Sequence, residues 1–173
     1  MSVDVRMQLV TMLPRLRRFA FSLTGSRDRA DDLLQTTCEK ALRGLESWQT
    51  GTRLDSWLYR IMQNAWIDDM RKVRFRGPEL PIEDDIAGAD GVLATEANIT
   101  AADVMTALSK LPDEQRSVVT LVCVEDLSYR EVAHILGVPI GTVMSRLSRA
   151  RRALADAIGV SPLADAGRFG GAA

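Results

Sequence analysis

The chain has 173 residues, 46% of them hydrophobic, and its 22 Lys and Arg against 23 Asp and Glu leave a net charge of −1. This length admits one domain or two small ones, and the apolar content is enough for packed cores. No apolar run approaches the roughly 18 residues of a membrane span, and the first residues lack a signal-peptide pattern, so a cytoplasmic protein without membrane insertion is expected.

Helical periodicity governs the first module. Residues 7–23 place Leu9, Met12, Leu13, Leu16, Phe19, Ala20 and Leu23 on one stripe. Gly25 and Ser26 break the pattern, with Ser26 the expected cap of the next helix. That helix buries Ala30, Leu33, Leu34, Thr37, Cys38, Ala41 and Leu42, and shows Asp31, Asp32, Gln35, Glu39 and Arg43 on its other side. The segment GLESWQTGTR (44–53) reads as a loop holding Trp48. A long helix then runs from Leu54 to about Arg74, burying Leu54, Trp57, Leu58, Ile61, Met62 and Ala65, with Trp66 also a core residue. Asn64, Asp68, Arg71 and Lys72 lie elsewhere on it.

Charge is segregated along the chain. Residues 1–76 hold 14 Lys/Arg and 9 Asp/Glu, residues 77–103 hold 7 Asp/Glu and no Lys/Arg, and residues 104–160 hold 7 Lys/Arg and 6 Asp/Glu. The acidic stretch, GPELPIEDDIAGADG at its start, has the composition of a linker, extended and without helix over most of 77–91. It serves as a solvated tether or lies against a cationic channel.

The second module centres on LSYREVAHILGVPIGTVMSRLSRA (127–150), which reads as a helix-turn-helix. Val132, Ala133, Ile135 and Leu136 form the apolar side of a helix starting near Ser128. Gly137 stands where a left-handed turn residue is needed, Pro139 precedes the second helix, and Thr142 is its expected N-cap. Val143 and Leu147 mark the buried side, while Ser145, Arg146, Ser148, Arg149 and Arg152 occupy the outer face. From Pro139 to Ala155 there are four arginines and no acid. Hydroxyls and guanidinium forks on such a helix suit base edges and phosphates in a DNA major groove. The expected fold class is therefore all-α: two small helical domains, 1–76 and 100–160, joined by an acidic flexible linker at 77–99, the second with the helix-turn-helix. Residues 161–173, rich in Gly and Ala, form a frayed tail.

Trp48, Asn64 and Asp68 together offer a stacking surface and amide and carboxylate groups, which suits capture of an unpaired base; a loop indole folded onto the core is the alternative for Trp48. Arg71, Lys72, Arg74 and Arg76 face phosphates or complement the helix end. Cys38 and Cys123 have no CxxC or Cys/His pattern, and His134 is the single histidine. Buried or half-buried thiols are expected, with no metal site, no cofactor and no nucleophile–base pair.

Three blocks in order resemble the extracytoplasmic-function sigma factors, small specificity subunits of bacterial RNA polymerase. RADDLLQTTCEKAL (29–42) is similar to the family's polymerase-binding helix, and LDSWLYRIMQNAWIDDMRK (54–72) to its −10 helix. LPDEQRSVVTLVCVEDLSYREVAHILGVPIGTVMSRLSRARRAL (111–154) is similar to its −35-binding domain. LPRLRRFAFSLTGS (13–26) resembles the alphaproteobacterial general-stress group. The resemblance implies a sigma factor without catalysis of its own, directing promoter-specific initiation with core RNA polymerase. Asp31, Asp32 and Gln35 would then meet the clamp helices of the largest polymerase subunit. The loop of Trp48, with Asn64, Asp68, Arg71 and Lys72, would hold the −10 element; Thr142, Ser145, Arg146, Ser148, Arg149 and Arg152 the −35 element. An anti-sigma factor would restrain the protein. The chain departs from the family pattern at Thr36, Cys38, Met144 and Ser148. Competing readings are a ligand-sensing or dimerising helix-turn-helix regulator, which has no use for Trp48 and Asn64, and a sigma-like decoy, which has no need of a basic recognition helix.

Overall fold

The computed structural model describes residues 3–49, 52–76 and 100–159. The expectations for the acidic linker at 77–99 and the tail at 161–173 lie outside the described residues. Regular structure among the described residues is helical throughout, in two compact units, Met1–Ala87 and Gly88–Ala173.

In the first unit, helices α1 (Val3–Thr24), α2 (Arg27–Gly44) and α3 (Leu54–Arg76) pack on one another. Of the expected stripe of α1, Leu9, Leu16, Phe19, Ala20 and Leu23 are buried, while Met12 and Leu13 are half-buried. Gly25 ends α1 at φ +70°, a left-handed conformation open to glycine at no steric cost. Ser26 occupies the N-cap position of α2, but its hydroxyl makes no capping bond; its carbonyl accepts from the Thr24 hydroxyl at 3.0 Å.

The apolar face of α2 is narrower than the sequence pattern implies. Ala30, Leu33, Thr37 and Ala41 are buried, Leu34 and Cys38 are half-buried, and Leu42 is 52% exposed. Successive spacings of three and four keep the buried set on one line, and Leu42 lies a full residue step beyond it. Burial pushes the Cys38 thiol above its ordinary pKa.

Helix α3 buries Leu54, Leu58, Met62, Ala65 and Trp66 as expected, and adds Tyr59, wholly enclosed. The Phe19 and Tyr59 rings meet edge to face with centroids 5.4 Å apart. Trp57 and Ile61 are only half-buried.

The second unit comprises α4 (Ala101–Ser109), α5 (Asp113–Val119), a π turn (Thr120–Val124), α6 (Tyr129–Leu136) and α7 (Ile140–Ala157). Its core joins Val118, Leu121, Val132, Ile135, Val143 and Leu147. Reciprocal capping boxes start α4, at Thr100 and Asp103, and α6, at Ser128 and Glu131. The π turn leaves Cys123 exposed, correcting the expectation of a buried or half-buried thiol. Among the described residues no helix is long and apolar enough to cross a membrane.

Asp55 shows how the start of α3 is held. The Arg53 guanidinium donates to its two carboxylate oxygens at 3.1 and 2.6 Å, and the Ser56 backbone N–H donates at 2.7 Å. Burial raises the Asp55 pKa, but the Arg53 and Ser56 bonds, with the charges of Arg53 and Arg15, outweigh it and leave the carboxyl below its ordinary value. A depressed folded-state pKa contributes stability above the unfolded-state value, lost as pH falls through the folded one. Asp55→Ala is therefore expected to destabilise the chain by about 1–2 kcal/mol at pH 7. The gap to the parent closes below about pH 4. Urea denaturation at several pH values checks it, and an undiminished gap at low pH would refute it.

Candidate nucleic-acid and polymerase interfaces

On the outer side of α2, Asp31, Asp32 and Gln35 are all exposed. They are not equivalent. Asp31 accepts from the Arg17 guanidinium of α1 at 2.6 Å, and the Gln35 amide donates to Glu39 at 3.2 Å. Asp32 lines a cleft of about 290 Å³ between α2 and α3, together with Arg29, Lys40, Trp66, Asp68 and Lys72. Lys40 lies 3.6 Å from Asp68 across this cleft, and the Arg29 guanidinium sits 5.4 Å from the Trp66 ring centre. The cleft thus brings an expected polymerase contact, Asp32, beside two expected −10 contacts, Asp68 and Lys72. The Lys40–Asp68 pair spans 28 positions, and helical periodicity carries no signal for a bond between helices.

On α3, Asn64, Asp68 and Arg71 are exposed and spaced by four and three, so they share one face. Lys72 is exposed beside them, as is Arg74. Trp48 follows the short 3-10 turn Leu45–Ser47 and donates its backbone N–H to the Leu45 carbonyl at 3.3 Å. Its residue surface is half-buried, and its indole N–H is enclosed with no acceptor among the described residues.

In the second unit the turn between α6 and α7 takes the expected form. Gly137 has φ +65°, and the Val138 N–H donates to the Ala133 carbonyl at 3.1 Å, the six-to-one bond of a Schellman motif. A Cβ at Gly137 would meet nothing within 4 Å, so what selects glycine there is the backbone conformation. The N-cap of α7 is Pro139, not Thr142. The Pro139 carbonyl already accepts from Thr142 at 2.9 Å and Val143 at 3.2 Å, which places Thr142 inside the first turn. Proline needs no N–H at that position.

Along α7, Val143, Leu147 and Ala150 are buried, whereas Ser145, Ser148, Arg149, Arg151 and Arg152 are exposed. Arg146 departs from the expected outer face. Its side chain is 21% exposed, and it donates to Glu114 of α5 at 2.7 Å. Glu114, 32 positions upstream, was missed for the same reason as Lys40. Arg116 on α5 pairs with Asp113 and donates to the Ser109 carbonyl at 3.0 Å, tying α5 to the end of α4. No cluster of His, Cys, Asp and Glu that could hold a metal occurs among the described residues.

Comparison with known proteins agrees with this geometry. Residues 9–76 match the sigma-70 region 2 family and residues 101–154 match sigma-70 region 4. The chain is 36% identical over 172 residues to the ECF RNA polymerase sigma factor EcfG of Rhodopseudomonas palustris, covering 95% of this chain and 90% of that one. It is 39% identical over 145 residues to the ECF sigma factor SigM of Mycobacterium tuberculosis, covering 84% and 72%. Among solved structures, the sigma factor RpoE of Bartonella quintana, in complex with the anti-sigma factor NepR, superposes with a TM-score of 0.76 at 32% identity. That match covers 92% of this chain and 99% of that one. With both sigma regions matched in order and a full-length relative at this identity, the chain belongs to the extracytoplasmic-function sigma factors, which direct promoter-specific initiation by RNA polymerase.

Proposed function

We propose that the two units divide promoter recognition between them. The first, residues 1–76, docks on the clamp helices of the largest polymerase subunit through Asp31, Asp32 and Gln35 of α2. It then holds the opened −10 element with Trp48, Asn64, Asp68, Arg71 and Lys72. The second, residues 100–160, lays α7 in the −35 major groove through Thr142, Ser145, Ser148, Arg149 and Arg152, with Arg146 at the groove edge. Residues 77–99 connect the two. The chain performs no catalysis; bond formation belongs to the polymerase, which places the protein in the cytoplasm.

The observation that carries the −10 reading is the shared face of Asn64, Asp68 and Arg71 on α3, opposite a core filled by Tyr59 and Trp66. Bases inside a duplex hide their pairing edges, and opening costs a few kcal/mol, offset when a flipped base is stacked and hydrogen-bonded. An exposed amide and a half-presented indole supply those two contacts. The solved relative's complex with NepR supports an anti-sigma protein as this chain's restraint, and its likeness to EcfG supports a place in the general-stress group.

Asn64→Ala and Trp48→Ala are expected to leave polymerase binding near normal and to impair open-complex formation. The loss at Trp48 should be on the order of 1–3 kcal/mol, the worth of one stacked base. Permanganate footprinting on duplex and pre-melted templates measures this, and normal opening by both variants would remove the assignment. A loss of thermal stability in Trp48→Ala would instead favour the core-folded indole.

The Glu114–Arg146 pair gives a second expectation. Arg149→Ala should weaken −35 binding by about 1–3 kcal/mol at one base position. Glu114→Gln should release Arg146 toward phosphate, raise affinity evenly across sequences and steepen the salt dependence by about one counterion. Salt titration of duplex binding checks both. An unchanged slope in Glu114→Gln would mean that Arg146 serves only to brace α7 on α5.

A further inference from the structure

Helix α7 carries large apolar residues on two different sides. Val143 and Leu147 are buried at 0% and 2% exposure, while Ile140 and Met144 stand 47% and 53% exposed. The exposed two are four residues apart, so they are neighbours on one ridge at the N-terminal end, and Ser148 continues that ridge. Neither supports the core, and isoleucine brings no advantage of helix propensity.

Their surroundings specify what they face. The other exposed side chains of α7 before Asp156 are Ser145, Ser148, Arg149, Arg151, Arg152 and Ala153, none of them acidic. An apolar spot set in such a surface matches a polyanion that carries small apolar groups. In the N-terminal half of the helix the sole cation is Arg146, and it is committed to Glu114 at 2.7 Å. That leaves Ile140, Met144, Ser145 and Ser148 as the exposed side chains where a recognition helix meets base edges. In the major groove the apolar group that distinguishes one base pair from another is the thymine C5 methyl.

We infer that Met144, backed by Ile140, reads a thymine methyl group in the −35 element, so that specificity in this half of the helix rests on apolar contact. The inference depends on the reading that α7 occupies the −35 major groove. A flexible, polarizable thioether can settle on a methyl group whose position shifts slightly with local DNA shape.

The test uses the full chain assembled with core polymerase. Promoter duplexes are enriched from a randomised pool and resynthesised with deoxyuridine in place of thymine, one −35 position at a time. The wild-type holoenzyme should lose about fourfold in affinity at one or two positions, the worth of one buried methyl group. Met144→Ala should lose a similar factor on the thymine duplex and become indifferent to uridine there, whereas Met144→Leu should retain the sensitivity. Both substitutions fall on an exposed side chain, so folding is not at stake. If no −35 position is sensitive to uridine, or if Met144→Ala keeps the wild-type sensitivity, the inference is overturned. Failure to enrich any −35 sequence would overturn the placement of α7 itself, and the inference with it.

Discussion

The second unit depends on how little of α7 is buried. Val143, Leu147 and Ala150 are at most 2% exposed, and they hold an 18-residue helix against α5 and α6. Burying a valine and a leucine contributes about 1.5–3 kcal/mol each, enough to fix the helix and little enough to leave the rest of its circumference free. The Arg146–Glu114 bond adds an anchor on the α5 flank. Its worth as an ion pair is about 0–1 kcal/mol because Glu114 is 69% exposed. A broader apolar stripe would stabilise the unit further and would remove the exposed surface that the proposed −35 contact needs.

The turn between α6 and α7 was legible in the sequence because backbone sterics act on single residues. Only glycine takes the φ of +65° found at Gly137 without penalty, and Pro139 can precede a helix but cannot extend one. Thr142 misled because side-chain capping preference says nothing about a carbonyl already in place, and the Pro139 carbonyl is in place. Leu42 and Trp57 misled for a different reason. Periodicity gives the direction of an apolar face but not its width, and width depends on which neighbour fills the groove. In α3 that neighbour is Tyr59, whose ring closes the core against Phe19.

The first unit shows where sequence reasoning about a site stops. Asn64, Asp68 and Arg71 could be placed on one face from spacing alone, because three and four residues make one helical turn. What holds Asp68 could not: its 3.6 Å approach to Lys40 arises only once α2 lies beside α3. The same packing puts Arg29 over the Trp66 ring and forms the cleft that Asp32 shares with Lys72. If Asp32 docks on polymerase and Asp68 and Lys72 hold the opened strand, as proposed, those two surfaces adjoin at this cleft. A partner pressing on α2 at Asp32 would also bear on the Lys40–Asp68 pair, and through it on the face that presents Asn64.

The proposed split of recognition between two sites on one chain would also account for the modest chemistry of each. Tethering converts the second contact into an intramolecular event, so two weak sites combine into an affinity neither has alone. Under that condition neither unit needs a dense set of bidentate base contacts. In its N-terminal half α7 can present serines and a methionine where a stand-alone reader of duplex DNA would need arginines, and α3 can offer one exposed amide. Discrimination then comes from requiring both elements at the correct separation. On that proposal a random duplex would meet exposed cations such as Arg149, Arg151 and Arg152 of α7 and Arg71, Lys72 and Arg74 of α3, whose attraction falls with salt.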